Sequence, residues 1–360
     1  MNPTAWNRSE VVRAAMLLRA ASLARGHSGV RSVVVRQIVD VLNRDIVPVV
    51  PCYGSVGASG DLAPLAHMAL PLIGEGEVVV GGGQSPVPAA DALTEAGLSP
   101  LILEMKEGLA LINGSQLATA FGLLAADRLE TLLQTACIAT AITAQVWLGT
   151  DAAFADDLHA LRPHPGAREI ARRLRELMAD SPMRLAHVPH EVDWEVQDPY
   201  SLRCAAQILG TCHDLVADAR RTLEIEAASV TDNPLLLPDA DGAYTRVVSG
   251  GHFHGMPVAV ALFHLTEALA IMASLSQVRS ARYVDEARNK GLGADLIWPG
   301  LDPAERATSS GMMIPEYVSA ALLNTIWAAT APSHLLSLPT DAGQEDHVSM
   351  GTPLAVRLWQ

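Results

Sequence analysis

Apolar positions recur every three to four residues along most of the chain, a spacing that predicts helices. Within residues 9–46, Val12, Met16, Ala20 and Leu23 form one stripe, widened by Val11, Ala15 and Leu18, and a second helix begins over Val33 to Leu42. Pro48 and Pro51 end that helical run. The period then changes. Three valines, Val78 to Val80, lie between Gly74-Glu75-Gly76 and Gly81-Gly82-Gly83 and predict a short β-hairpin, the one strand feature of note in this region. Helices resume near Ala89, and Lys106 to Ser115 opens a long helix predicted to run through Trp147. Pro163 and Pro165 precede an amphipathic, charged helix over 167–179. Beyond a proline-rich loop holding His187 and His190, residues 197–228 read as another long helix. Further helices are predicted over 256–279 and 314–330, with a loop from Val247 to His254, an irregular polar stretch from Arg282 to Pro303 and a loop from Pro339 to His347. No repeat or low-complexity linker interrupts the pattern. The expectation is a mainly α protein with one core of long helices, divided as 1–110 and 111–360.

Composition supports the same picture. The 360 residues are 49% hydrophobic, 4% aromatic and 18% charged, which points to Ala/Leu/Val-rich helices buried against one another. The net charge of -14 and the lack of a basic patch exclude nucleic acid as an expected partner. Cys52, Cys137, Cys204 and Cys212 form no CxxC pair and read as reduced, buried thiols of a cytoplasmic protein. Arg8, Glu10 and Arg13 interrupt any apolar leader. Thr131 to Leu148 carries no charge, but its two glutamines and four threonines favour a buried core helix over a membrane span.

Chemistry enters at Gly54-Ser55-Val56-Gly57-Ala58-Ser59-Gly60-Asp61-Leu62-Ala63-Pro64. The glycine spacing fits neither a dinucleotide fingerprint nor a phosphate loop. Glycine's missing Cβ allows a sharp turn and close approach. Asp61 is placed to cap the helix that follows, with Pro64 in its first turn. By itself the stretch reads as a turn and a cap. Asn113, in Leu111-Ile112-Asn113-Gly114-Ser115, reads by itself as a helix N-cap. Tyr200 and Arg203, in Val196-Gln197-Asp198-Pro199-Tyr200-Ser201-Leu202-Arg203-Cys204, share a helix face. Arg203 can hold a carboxylate bidentately and Tyr200 can move a proton, while an interhelix salt bridge beside a packed tyrosine is the competing reading. His252 and His254, two residues apart, hint at a metal pair, but no carboxylate or cysteine accompanies them at ligand spacing, so no metal is expected. Glu345, in Gln344-Glu345-Asp346-His347, would ordinarily be a solvated acidic loop residue.

Taken together and in order, these segments resemble the histidine/phenylalanine/tyrosine ammonia-lyase family. The resemblance implies a long-helix bundle of the aspartase/fumarase-like class. It implies that Ala58-Ser59-Gly60 closes into the prosthetic group methylidene-imidazolone (MIO). The Gly60 nitrogen attacks the Ala58 carbonyl carbon, and loss of water from Ser59 leaves an exocyclic methylidene, an electrophile that ordinary side chains lack. By motif, Asn113 and Gln197 orient groups around the ring, Arg203 anchors the substrate carboxylate and Tyr200 moves or donates a proton near the β-carbon. Phe253 packs against ring or substrate, with His252 standing where the family carries asparagine. Histidine lyases read Gln-Glu-Asp-His at the Glu345 position, whereas phenylalanine and tyrosine lyases tend to carry Gln-Asp. A carboxylate suits an imidazole, and a phenyl ring would leave it buried and unpaired. The implied reaction is non-oxidative deamination of L-histidine to trans-urocanate and ammonia, without metal or nucleotide. The implied assembly is a homotetramer with shared active sites and no membrane partner.

Family members also extend beyond both ends of these residues, and their upstream part carries the tyrosine usually named as base. Ala228, Ala206 and Gln277-Val278 stand where the family has asparagine, proline and Glu-Arg. Leu161 to Gly166 and Thr231 to Leu235 also match, in structural roles. Two other expectations follow: a phenylalanine or tyrosine lyase or aminomutase on the same group, or an inactive helical chain that acts only in assembly.

Overall fold

The computed structural model describes residues 8–83, 85–187 and 197–359; His190 and Val196 lie outside them. The chain forms two compact units. One comprises residues 1–126, 219–263 and 332–360, and the other residues 127–218 and 264–331.

In the first unit the helices Ser9–Ala24 and Ser32–Asn43 pack on each other through the predicted stripe: Val12, Met16, Ala20 and Leu23 are buried, as are Val34, Ile38 and Val41. The expected hairpin is instead part of a three-stranded antiparallel sheet. Its order is β1 (Ile46–Pro48), β2 (Glu77–Val80), β3 (Val87–Pro88), with Val47 opposite Val79 and Val78 opposite Val87. Val78 and Val79 point to opposite faces, yet both are buried, so the middle strand is covered on both sides.

A second pair, β4 (Leu235–Pro238) with β5 (Tyr244–Val248), had no sequence expectation as strand, and β5 runs into the expected Val247–His254 loop at Val247 and Val248. Asp239 makes the connection. Its carboxylate accepts from Asp241 N at 3.0 Å, Ala243 N at 2.9 Å and Thr245 Oγ1 at 3.0 Å, an aspartate-centred turn.

Two predicted helices are broken. Residues 106–147 form Glu107–Ile112 and Gln116–Val146, separated at Asn113 to Ser115 by Gly114 at φ 141°. Residues 197–228 form a single turn, Tyr200–Arg203, followed by Ala205–Ala227. The helix expected over 256–279 runs on to Val284, and the later one spans Met313–Ala329.

The second unit is built on segments of these helices. Gly166, on the helix Pro165–Met178, and Gly210, on Ala205–Ala227, mark a close crossing, where a Cβ on Gly166 would lie 2.1 Å from the Gly210 carbonyl oxygen. Arg279 is buried with each guanidinium nitrogen hydrogen-bonded: Nε and Nη2 donate to Ser201 O at 3.0 and 2.6 Å, and Nη1 to Thr140 Oγ1 at 2.7 Å. Burial pulls its pKa down to about 10, which leaves it charged at neutral pH. Within the uncharged Thr131–Leu148 stretch, Leu133, Cys137, Ala141, Ala144 and Trp147 are buried, as a core helix requires. Among the described residues one helix, Met256–Val284, is long and apolar enough to cross a membrane, and half of its most apolar window is buried. Cys137 and Cys212 are buried as expected, but Cys52 and Cys204 are only half-buried.

Glu107, buried at the start of its helix, accepts Arg31 Nε at 2.9 Å and Nη2 at 2.8 Å, and Glu104 N at 2.8 Å. The guanidinium holds its carboxyl down at about 2, from an ordinary 4.5. The unfolded chain therefore binds this proton first. The contribution is complete above the ordinary carboxylate range and is lost as pH falls toward 2. Urea unfolding of Glu107→Gln across that window is expected to show a shallower acid decline than wild type.

Candidate active site

Gly57 and Gly60 pair as an isolated antiparallel bridge, closing a four-residue turn with Ala58 and Ser59 at its tip. Gly57, Ser59 and Gly60 have φ of 75°, 49° and 79°. Ser59 is a non-glycine residue in the left-handed region, which stores about 1–3 kcal/mol of strain. Gly60 also lies against Gly114, whose oxygen accepts Asp61 N at 2.7 Å. A Cβ on Gly60 would sit 2.1 Å from that oxygen, and one on Gly57 would sit 2.0 Å from Ser349 Oγ. Both positions require glycine.

Asp61, 1% exposed, does not cap the helix Leu62–Ala69 with its side chain. Its Oδ2 accepts Ala118 N at 2.9 Å, in the first turn of Gln116–Val146, and its Oδ1 accepts the Thr352 hydroxyl. The expected cap therefore belongs to a different helix. The carboxylate is at hand because the turn folds onto Asn113 to Ser115, and Ser115 gives its own hydroxyl to Glu226. Burial raises the Asp61 pKa, against the Thr352 and backbone hydrogen bonds that lower it. The folded chain thus keeps this proton to higher pH than the unfolded chain, and stability declines as pH rises out of the ordinary carboxylate range. Asp61→Asn should remove that slope. It should also cost about 1–3 kcal/mol if its amide turns a donor toward Ala118 N, a loss readable as the urea midpoint at fixed m.

Arg19, fully buried on the first helix, supports the other side. Its Nη1 donates to Ala110 O at 2.9 Å, and its Nη2 to Asn113 O at 2.8 Å and to Gln116 Oε1. Burial lowers its pKa to about 10, so it stays charged. Asn113 is a C-cap, not an N-cap. Its Nδ2 donates to Asn233 O at 3.0 Å, while its buried Oδ1 has no hydrogen-bond partner among the described residues. Asp232, in the same turn, is buried against Lys106 Nζ at 2.5 Å. These contacts give Thr231 to Leu235 the structural role expected of it.

Glu345 meets the glycine turn directly. Ser59 Oγ donates to Glu345 Oε1 at 2.9 Å and Thr340 Oγ1 donates to Oε2 at 2.7 Å, so each carboxylate oxygen is held by a hydroxyl. A backbone bridge between Thr340 and Glu345, with N–H···O distances of 2.9 and 3.2 Å, fixes the loop that carries them. Phe253 is half-buried in the turn ahead of Met256. That turn is anchored nearby: a Cβ on Gly255 would lie 3.3 Å from Ser349 Oγ, and the His254 ring bonds His347 O at 3.1 Å. Among the described residues, no group of three or more His, Cys, Asp or Glu side chains is placed to hold a metal.

The remaining candidates lie in the second unit. Arg203 Nη1 donates to Gln197 Oε1, and both line a cavity of about 650 Å³ with Arg162, Asp198, Cys204 and Gln207. Tyr200 is 66% exposed at the start of the one-turn helix. The nine candidates thus fall into two sets: Ala58, Ser59, Gly60, Asn113, Phe253 and Glu345 in one unit, and Gln197, Tyr200 and Arg203 in the other. Sequence reasoning missed Thr340, Arg19 and the true partner of Asp61. Only Arg19 left a local signal, a charge within the apolar stripe of the first helix.

A mainly helical fold around a self-turned, glycine-lined tripeptide, faced by a held carboxylate, defines the class of helical lyases that the motifs resemble. The chain matches the aromatic amino acid lyase family over residues 5–360, and it belongs to that family. It is 47% identical over 346 residues to a histidine ammonia-lyase of Gloeobacter violaceus, covering 96% of this chain and 64% of that one. It is likewise 47% identical over 352 residues to one of Deinococcus radiodurans, covering 98% and 64%. The chain therefore spans about 64% of the length of these curated relatives. Among solved structures it is similar to histidine ammonia-lyase from Trypanosoma cruzi (TM-score 0.86, 34% identity, 98% of this chain and 64% of that one). It is also similar to Pantoea agglomerans phenylalanine aminomutase (TM-score 0.89, 33% identity, 99% and 70%).

Proposed function

We propose that this chain carries out the non-oxidative deamination of L-histidine to trans-urocanate and ammonia, through an MIO group made from Ala58-Ser59-Gly60. The observation that carries the reading is the Glu345 carboxylate set on Ser59 Oγ at 2.9 Å. A carboxylate at the reacting residue favours a substrate ring that can donate a hydrogen bond or carry positive charge, as imidazole does. A phenyl or phenol ring brought there would desolvate that charge without pairing it. The relatives named histidine ammonia-lyase support the same substrate.

The residues present fit the group. The tripeptide sits at the tip of a closed turn, Gly60 packs where no Cβ fits, and the buried Asn113 Oδ1 is left for a partner outside the described residues. When formed, the group supplies the electrophile that activates the amino group as a leaving group. Asn113 orients groups at the ring and Phe253 shields its face. Glu345 holds the imidazole, with Thr340 fixing the carboxylate in turn. With Nη1 on Gln197, the Arg203 guanidinium keeps further N–H donors for the substrate carboxylate. Tyr200 offers a phenol to move or donate a proton near the β-carbon. In the assembly we propose, a homotetramer, each site draws residues from more than one subunit.

A substrate panel tests this. Histidine should be deaminated in preference to phenylalanine and tyrosine. Turnover of tyrosine without histidine would overturn the assignment, and β-amino acid products would mark an aminomutase.

A further inference from the structure

We propose that Glu345 is the proton carrier for the dehydration of Ser59, with Thr340 as the residue that positions it. The inference rests on the reading that Ala58-Ser59-Gly60 matures into MIO and gives Glu345 a second duty, earlier than any contact with substrate.

The argument starts from the balance of the step. Ring closure joins the Gly60 nitrogen to the Ala58 carbonyl carbon and releases one water. The second water comes from Ser59: its Cα–H and Cβ–Oγ bonds break, a Cα=Cβ bond forms, and the proton from Cα leaves with the hydroxyl. No oxidant or external reactant is needed. Hydroxide is a poor leaving group and a Cα–H is a weak acid, so one base and one acid are required. A single carboxylate can serve as both if it reaches Cα and Oγ, which are separated by one side-chain carbon.

Glu345 is the group in place. Its Oε1 accepts the Ser59 hydroxyl at 2.9 Å, and among the described residues that is the one hydrogen bond this hydroxyl makes. Its Oε2 is held by Thr340 Oγ1 at 2.7 Å, so the carboxylate cannot turn away. As a carboxylate it takes the Cα proton, and as the resulting acid it returns that proton to Oγ as the C–O bond breaks. Asp61 is the nearest competitor in sequence, but both its oxygens are engaged by Ala118 N and Thr352, deep in the fold.

The test follows maturation by mass. The full chain is made by cell-free translation, and intact mass is recorded with time alongside circular dichroism. Wild type should become lighter by two waters, and Ser59→Ala by no more than one. Glu345→Gln should fold with an unchanged far-ultraviolet spectrum but lose the second water on the order of 100-fold more slowly. Thr340→Val keeps the carboxylate and should slow the same loss several-fold, with Thr340→Ser restoring it. If wild type itself never loses the second water, the MIO reading fails. If wild type matures and Glu345→Gln matures equally fast, only the present inference is overturned. Should Glu345→Gln not fold, Thr340→Val decides, and wild-type speed in that variant overturns it.

Discussion

Replacing Ser59 with alanine should leave a folded chain that lacks the near-ultraviolet band of wild type and releases ammonia from histidine about 10,000-fold more slowly or less. The two readouts are separable because Ser59 contributes little to the fold. It is half-buried and, among the described residues, its side chain makes one hydrogen bond, to Glu345. Losing that bond costs about 1 kcal/mol, well within what a domain of this size tolerates. Chemistry suffers far more, because no remaining side chain is an electrophile. An unchanged difference spectrum between Ser59→Ala and wild type would mean that no ring forms. Ammonia release should then be equally absent from both.

The helices were legible where an apolar stripe and its partner lie close in sequence. Val12, Met16, Ala20 and Leu23 announced the Ser9–Ala24 helix because burial there follows the 3.6-residue period directly. The break at Asn113 to Ser115 was not legible. The apolar pattern runs on through it, and what interrupts the helix is a backbone contact from Asp61 N to Gly114 O. The strand β1 was hidden for a related reason. Three residues ending in Pro48 give no alternation to read, and the strand exists because β2 needs a neighbour on that side.

The site shows the same division. The helical spacing of Tyr200 and Arg203 was visible, and both lie on one helical turn. The meeting of Ser59 with Glu345, 286 residues apart, followed from no periodicity. Family resemblance set Glu345 against a substrate imidazole, not against Ser59, and both this contact and the Thr340 hydroxyl that aims the carboxylate came only with coordinates.

Apart from the local Thr245–Asp239 turn, three carboxylates of the first unit accept hydroxyl hydrogen bonds from residues distant in sequence: Asp61 from Thr352, Glu226 from Ser115 and Glu345 from Ser59. Asp61 and Glu226 are buried, and burial raises both their pKa values. They fasten the start of Gln116–Val146 and the end of Ala205–Ala227, where a lost bond would appear as lost stability. Glu345 is half-buried on a loop, and its hydroxyl partner belongs to the strained tip of the turn. On our proposal, the same interaction serves structure at two places and chemistry at the third, and the setting of the hydroxyl decides which.

Arg203→Met should lower kcat/KM for histidine by about 100-fold, equivalent to about 3 kcal/mol, the worth of two charge-assisted hydrogen bonds. The fold should be spared. Arg203 is exposed in its unit, and Gln197, its one side-chain partner among the described residues, is exposed as well. Trans-urocanate keeps the substrate's carboxylate and lacks its amino group. Its inhibition should therefore weaken by a similar factor, which separates an anchor from a group acting on ammonia. Arg203→Lys should recover only part of the loss, since an ammonium cannot match the planar fork that binds both carboxylate oxygens. If Arg203→Met bound urocanate as wild type does while losing turnover, the guanidinium would be acting on the departing amino group. The carboxylate would then need another anchor, and Arg162, on the same cavity wall, is the cation placed to provide it.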